Sequence, residues 1–389
     1  MKYQMQPGDY LPITFEPITT QYINIVVTEG EMELSDLSMV QCVFPQIHKK
    51  LNTADPDLQL VYDAAVSTFR QNTLDIYMDC PCRERAGWLC DSFFTSRSEY
   101  CLTGKSTVEY NFLENFLLAE HVDNIPDGMF PMCYPSDFPA TSYIPNWAMW
   151  LVLELEEYYG RTKDAGLVER FRKRIYQLKD FFKKYENEEG LLESLDAWVF
   201  VEWSKCNELV QDVNFPTNML YASMLDAVSR LYDDKAAAEQ AARLREKIRG
   251  LSYNGSFFTD RMLRKDGKLI PGGEITETCQ YYAFFTKTAT PETYPQLWDT
   301  ILYSFGPERQ DKGLYPEIYP SNAFIGNYLR LDLLSQYGKE EQLLKESVGY
   351  FKFMAERTGT LWEKISDDAS MNHGFASHAA VWLDKICNK

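Results

Sequence analysis

Residues 75–91 read DIYMDCPCRERAGWLCD and concentrate acidic, basic and aromatic side chains in one short stretch. Three acidic residues in it, Asp79, Glu84 and Asp91, follow one another at spacings of five and seven. A proline and a glycine predict an ordered loop, because proline removes a backbone donor and glycine permits unusual backbone angles. From Leu89 onward the pattern becomes helical, which places Asp91 in a first helical turn, where negative charge is favoured.

Two interpretations of this charged loop are open from its residues alone. Glycoside hydrolysis needs one protonated carboxyl group that donates to the leaving oxygen, and carboxylates that bind hydroxyl groups or activate water. Crowded carboxylates raise one another's pKa, whereas adjacent arginines keep carboxylates ionised. The alternative is a salt-bridged loop that only connects two helices, since ion-pair networks also cluster acidic residues.

The stretch resembles the signature of the bacterial α-L-rhamnosidases, glycoside hydrolase family 78. The family pattern Asp-Cys-Pro-x-Arg-Glu-Arg-x-Gly-Trp-x-x-Asp is met at all of its specified positions, and a second element, Thr-x-Trp-Glu followed by Ser-x-Asn-His, is met near the C-terminus. The resemblance covers roughly residues 50–386 and implies a glycosidase on a six-hairpin helical toroid. The matching residues are Asp79, Cys80, Pro81, Arg83, Glu84, Arg85, Gly87, Trp88, Asp91, Thr360, Trp362, Glu363, Ser370, Asn372 and His373.

The resemblance implies that Glu84 is the general acid, because the family's acid occupies this motif position. Like charge on Asp79 and Asp91 is expected to keep Glu84 protonated near neutral pH. Pairing with Arg83 or Arg85 would lower its pKa instead. We interpret Arg83 as substrate-facing and Arg85 as structural.

The resemblance likewise implies that Glu363, in GTLWEKI, is the general base that activates water. From the sequence alone, a glutamate near a helix start is more often solvated or a helix cap. An acid and a base of this kind imply inversion of configuration, with the carboxyl groups about 6.5–9.5 Å apart.

Further residues are predicted to bind the sugar. Asp79 and Asp91 correspond to family positions that accept hydrogen bonds from sugar hydroxyls, although Asp79 could alternatively cap the loop. His373, in SMNHGF, is either a satisfied core residue or a sugar contact. Three tryptophans on loops expected at one rim are candidate sugar platforms: Trp88, Trp147 and Trp203.

The net charge of −18 over 389 residues argues against nucleic-acid binding, which requires a basic surface. A neutral or weakly charged substrate is therefore expected, and the resemblance implies that it is a carbohydrate. Nine cysteines form no regular framework and only four histidines are present, so free thiols are expected and a zinc site is not. No phosphate-binding loop or nucleophile elbow is found, and neither a cofactor nor a metal is predicted.

The N-terminal sequence MKYQMQPGDYLP lacks a basic start followed by an apolar core, so no signal peptide is predicted. No apolar run approaches the ~20 residues that a membrane-spanning helix needs. The expected location is the cytoplasm, although a trimmed signal would leave no trace. The oligomeric state is not specified by the sequence.

Residues 1–47 are predicted to form a short β segment, because TTQYINIVV alternates and is rich in β-branched residues. Two or three strands cannot form a stable domain alone, so they are expected to pack on the helical body. By resemblance, this segment corresponds to the tail of a β-sandwich module. Residues 48–389 are then the catalytic domain.

About twelve helices are predicted from residue 55 onward, starting with one capped by Asp55 or Asp57 and interrupted by a short hairpin within 252–274. Twelve helices in antiparallel pairs fit an (α/α)6 toroid with an inner and an outer ring. The long loops after every second helix are expected to gather at one end. An irregular α-solenoid is the alternative, but it more often shows a 34–45-residue repeat, and none is detected.

Overall fold

A computed structural model of the protein describes residues 2–14, 17–20, 22–136 and 142–389. Within these ranges the chain is mainly helical, as predicted. The twelve α-helices are α1 Pro56–Asn72, α2 Leu89–Thr103, α3 Thr107–Leu118, α4 Pro145–Thr162, α5 Ala165–Lys183, α6 Phe215–Tyr232, α7 Lys235–Ser252, α8 Glu277–Phe285, α9 Pro295–Ser304, α10 Tyr328–Gln336, α11 Glu340–Thr358 and α12 Ala379–Cys387. None of them is both long and apolar enough to cross a bilayer.

Local capping sets several of the helix ends. The Asp55 carboxylate accepts hydrogen bonds from the backbone N–H groups of Asp57 and Leu58 at 2.8 and 3.3 Å, so Asp55 is the cap of α1. Asp164 and Asp234 begin α5 and α7 in the same way. These caps satisfy N–H groups that have no partner within the helix.

The even-numbered helices form a closed inner ring. Each contacts the next, from α2 through α4, α6, α8 and α10 to α12, and α12 returns to α2. The inner helix α4 is buried along 145–155, whereas the outer helix α7 buries only a stripe of residues three or four apart. Continuous burial fits a helix enclosed by others, and a single stripe fits one that faces solvent. The predicted six-hairpin toroid is therefore confirmed.

The long loops that precede the inner helices lie at one end of the ring, as predicted. The loop before α2 pairs with the loop before α4 through a bridge between Trp88 and Cys133. It also meets the loop before α12, because the N–H of Gly374 donates to the carbonyl of Asp79 at 2.7 Å. The two sequence elements of the resemblance are thus neighbours in space.

A small antiparallel sheet crosses this end of the molecule, with strands β1 Val213–Asn214, β2 Arg261–Lys265 and β3 Lys268–Pro271 in that order. The β2–β3 hairpin turns at Asp266 and Gly267, whose φ angles are 50° and 77°. An Asp-Gly pair with positive φ angles is the favoured chemistry for a two-residue hairpin turn. The hairpin predicted within 252–274 is confirmed.

The N-terminal segment differs from its prediction. None of the described residues before position 48 is in a strand, and most are exposed. An alternating sequence needs neighbouring strands to complete its ladder, and the described residues supply none. The segment instead crosses the charged loop, where Thr19 donates to the carbonyl of Pro81 at 3.0 Å and Arg85 donates to that of Pro17 at 3.1 Å.

Two inner helices are preceded by short irregular turns. Ala323–Asn327 precedes α10, and Gly374–His378 precedes α12. In the first, Ile325 has a φ of 70°, which is unusual for a β-branched residue. Both turns border the site described next.

Candidate active site

The loop between α1 and α2 is held in shape by close backbone approaches. A Cβ atom on Gly87 would lie 2.6 Å from the carbonyl oxygen of Tyr134, and one on Gly374 would lie 2.4 Å from that of Met78. Neither position has room for a side chain. Gly87 in the first sequence element and Gly374, directly after the second, therefore allow their loops to pack against a neighbouring backbone.

The two predicted catalytic glutamates meet around one arginine. The Nε atom of Arg83 lies 2.6 Å from an oxygen of Glu84, and its Nη2 atom lies 3.7 Å from an oxygen of Glu363. These glutamates are far apart in sequence, and only the closure of the ring brings them together. The Arg83 side chain between them is 55% exposed, so this group also faces solvent.

Glu363 is oriented by three neighbours. The indole N–H of Trp203 donates to Oε1 at 2.9 Å, and the backbone N–H of Ser370 donates to Oε2 at 3.2 Å. The Nε2 atom of His373 lies 3.9 Å from the same Oε2. The carboxylate is buried, and its Oε2 atom faces His373 and Arg83.

Asp91 and His373 form a second pair at the base of the site. Nδ1 of His373 lies 3.3 Å from Oδ1 of Asp91, yet neither atom makes a well-aligned hydrogen bond among the described residues. Burial, with the charges of Asp79 and Glu363, raises the pKa of Asp91 well above its ordinary value. Burial lowers the pKa of His373 to about 4, so its imidazole is neutral at pH 7.

Glu84 shares its surroundings with Asp79 and Cys80. Burial raises the pKa of Asp79 to about 7, although Asp79 accepts a hydrogen bond from the N–H of Ala86 at 2.8 Å. Burial also acts to raise the pKa of Glu84, but hydrogen bonds from Arg83, Cys80 and Asp79 outweigh it, and the net direction is down. The expectation that like charge keeps Glu84 protonated is therefore wrong for this conformation. In this pair the raised pKa belongs to Asp79.

Among the residues that the structure describes, these three form a group that could hold a metal ion. Asp79, Cys80 and Glu84 each offer one ligand atom, all within 4.8 Å of one another. The Glu84 oxygen already accepts from Arg83 and, at 3.2 Å, from the thiol of Cys80. A cation here would have to displace the guanidinium group and the thiol proton.

The three candidate tryptophan platforms lie in different surroundings. Trp88 and Trp147 are only 8% and 5% exposed and pack edge to face at 5.2 Å, so neighbouring rings cover most of their surfaces. Trp203 is partly exposed, and the Lys364 ammonium lies 4.9 Å from its ring centre. A platform role for any of the three stays a prediction.

Sequence reasoning missed two polar residues beside Glu363. Glu202 precedes Trp203, and burial raises its pKa to about 7 against the hydrogen bonds it accepts. Asn322 donates to the carbonyl of Trp203 at 2.7 Å. The position of Glu202 next to a predicted platform was a usable signal, whereas nothing in the sequence singles out Asn322.

Comparison with known proteins identifies the family of this domain. The profile of the bacterial α-L-rhamnosidase six-hairpin glycosidase domain matches residues 48–387, most of the chain. No curated protein sequence matches. The N-terminal 47 residues lie outside the matched region.

Solved structures share the fold at low sequence identity. A family 78 rhamnosidase of Bacillus sp. GL1 superposes with a TM-score of 0.73 at 18% identity over 85% of this chain and 35% of that one. A rhamnosidase from Klebsiella oxytoca with rhamnose bound gives 0.70 at 16% identity, over 86% and 65%. An α-L-rhamnosidase from Aspergillus terreus gives 0.62 at 16% identity, over 85% and 39%. This chain thus spans less than two thirds of each of these proteins. By its sequence profile and its twelve-helix ring, the chain belongs to the bacterial α-L-rhamnosidase six-hairpin glycosidase domain family.

Proposed function

We propose that this chain is a glycosidase that releases terminal L-rhamnose from α-L-rhamnosides with inversion of configuration. The observation that carries the proposal is the meeting of Glu84 and Glu363 around Arg83. An inverting glycosidase requires two carboxyl groups on opposite sides of the scissile bond, with space for water beside one of them. Family membership supports this assignment over a salt-bridged connecting loop.

The acid step uses the hydrogen-bonded pair of Asp79 and Glu84. The raised pKa of Asp79, about 7, lets this pair hold a proton at neutral pH. In the proposed reaction the proton passes to Glu84, which donates it to the glycosidic oxygen as the bond to the anomeric carbon breaks. Arg83 then stabilises the carboxylate that remains on Glu84.

The base step uses Glu363. Its Oε1 is engaged by Trp203, so Oε2 takes the proton from water while the water oxygen bonds to the anomeric carbon from the opposite face. Asp91 and His373 supply buried polar atoms with no aligned partner among the described residues, and these fit hydroxyl groups of the sugar.

The test is hydrolysis of an aryl α-L-rhamnoside followed by proton NMR. We expect β-L-rhamnose to appear first and then to equilibrate with the α anomer. First appearance of the α anomer would reject inversion. Turnover of a different aryl glycoside instead would identify another sugar as substrate, and sugar binding without any turnover would identify a non-catalytic carbohydrate-binding toroid.

A further inference from the structure

Glu202 is a fully buried carboxylate in the loop before α6, and the mechanism above does not use it. Its Oε1 accepts hydrogen bonds from the backbone N–H groups of Asn322 and Gly326, both at 2.8 Å. Its Oε2 accepts from the hydroxyl of Ser204 at 2.6 Å and from that of Thr278. Four donors on one buried side chain fix the turn before α10 to the loop before α6.

The turn before α10 is shaped to receive this carboxylate. A Cβ atom at Gly326 would lie 2.1 Å from Oε1 of Glu202, so only glycine permits the approach. The preceding residue, Ile325, has a φ of 70°. A β-branched residue in this conformation persists only where surrounding contacts impose it, and the Glu202 bonds are such contacts.

Asn322 begins this turn and joins three segments of the site. Its Nδ2 donates to the carbonyl of Trp203 at 2.7 Å, and its Oδ1 accepts from the N–H of Ile365 at 3.1 Å. Trp203 is the residue whose indole holds Glu363, and Ile365 lies two residues beyond Glu363. One amide therefore connects the two backbones that together orient the Glu363 carboxylate.

We propose that Asn322, held in place by Glu202, is a positioning residue that fixes Glu363 for the activation of water. The inference rests on the proposed role of Glu363 as general base. Asn322 has no contact with Glu363 itself, so it acts through the indole of Trp203 and the backbone of Ile365. Loss of its side chain frees both at once, and a displacement of about 1 Å at a reacting group can lower the rate about a hundredfold.

The test compares Asn322→Ala with Asn327→Ala in the full chain. Asn327 is a matched control because it lies on the same turn, is buried, and accepts from Ser321 at 2.6 Å. With an aryl α-L-rhamnoside we expect kcat of Asn322→Ala to fall about ten- to a hundredfold. We expect its KM to change by less than about threefold, because a positioning residue for the base affects the transition state more than ground-state binding. The control should keep the kcat of the wild type.

A second readout does not depend on activity. In a ¹⁵N-labelled protein the indole N–H signal of Trp203, assigned with Trp203→Phe, reports the hydrogen bond to Glu363. We expect this signal to move upfield in Asn322→Ala and to stay in place in Asn327→Ala, with both variants folded by circular dichroism.

Three outcomes would overturn the inference. They are a wild-type kcat in Asn322→Ala, an equal loss in the two variants, or an unshifted Trp203 signal in folded Asn322→Ala. If the wild-type protein hydrolyses no rhamnoside, the proposed function fails, and the indole signal alone decides whether Asn322 positions Glu363.

Discussion

Two groups of buried carboxylates in this ring have opposite electrostatic character. The active-site group is Asp79 and Asp91, which are buried and have no arginine partner among the described residues. The arginine-paired cluster lies further along the inner helices and consists of Arg97, Glu157, Arg161 and Asp332. In it, Arg97 contacts Asp332 at 2.8 Å and Glu157 at 2.7 Å, and Arg161 contacts Glu157 at 3.1 Å.

Pairing, and not burial, separates the two groups. Burial acts to raise the pKa of Asp332, but the charge of Arg97 outweighs it and holds that pKa far below its usual range. Asp79 and Asp91 are also buried, and without an arginine partner their pKa values rise. Asp332, paired with Arg97, stays ionised and ties helices together, whereas the raised pKa values of Asp79 and Asp91 let these groups keep a proton that chemistry can use. The predictions below test this contrast.

The largest effect is expected from Glu84→Gln, which removes the proton donor. The value of kcat should fall about 10²- to 10⁴-fold while the melting temperature stays close to that of the wild type. Glu193→Gln is a matched control, because Glu193 is also paired with an arginine and is 14% exposed against 15% for Glu84. Wild-type turnover by Glu84→Gln, measured with an aryl α-L-rhamnoside, would contradict the acid assignment.

Asp332→Asn should destabilise the fold and leave the chemistry unchanged. Removing one partner of a buried ion pair is expected to lower the free energy of unfolding by about 3–5 kcal/mol at pH 7. Because the pKa of Asp332 is lowered on folding, its stabilisation is present above its unfolded pKa of about 3.9 and is lost as the pH falls further. In urea unfolding, the difference in free energy of unfolding between Asp332→Asn and the wild type should become smaller below about pH 4. A difference that is constant with pH would argue against a charge effect.

Asp79→Asn should change the stability in the direction opposite to Asp332→Asn. The folded pKa of about 7 is raised, so stability falls as the pH rises from about 4 to 7, where the buried group must ionise. The variant avoids this ionisation. We expect it to be more stable than the wild type at pH 8 by up to about 4 kcal/mol, equally stable near pH 4, and less active. A variant less stable than the wild type at pH 8 would show that Asp79 serves the fold and not the chemistry.

Trp203→Phe should have the smallest effect. It keeps an aromatic ring but removes the hydrogen bond to Glu363, a change worth about 0.5–1.5 kcal/mol, or roughly two- to tenfold in kcat. Trp198→Phe, on the same loop, is the control and should keep the wild-type kcat. Equal effects of the two changes would mean that ring packing, and not the indole N–H, matters.

Much of the helical architecture could be predicted from local sequence. Asp55 marks the start of α1, and Gly104 ends α2 in the left-handed conformation that favours glycine. These signals act within one or two turns, so they are readable without the fold. The conformation of the N-terminal segment could not be predicted in this way, because an alternating pattern forms a strand only when a partner strand supplies its hydrogen bonds. Likewise, the turn at Ala323–Asn327 depends on Glu202, more than a hundred positions away.

The sequence by itself determined the order of helices, the two motif-bearing loops and the chemical types available to the site, because capping, periodicity and turn chemistry are local. Only the tertiary structure decided which carboxyl groups have raised pKa values, which tryptophans are covered, and which side chains hold Glu363. Each of these depends on burial and on the distances between charges, and burial and distance exist only after the ring has closed.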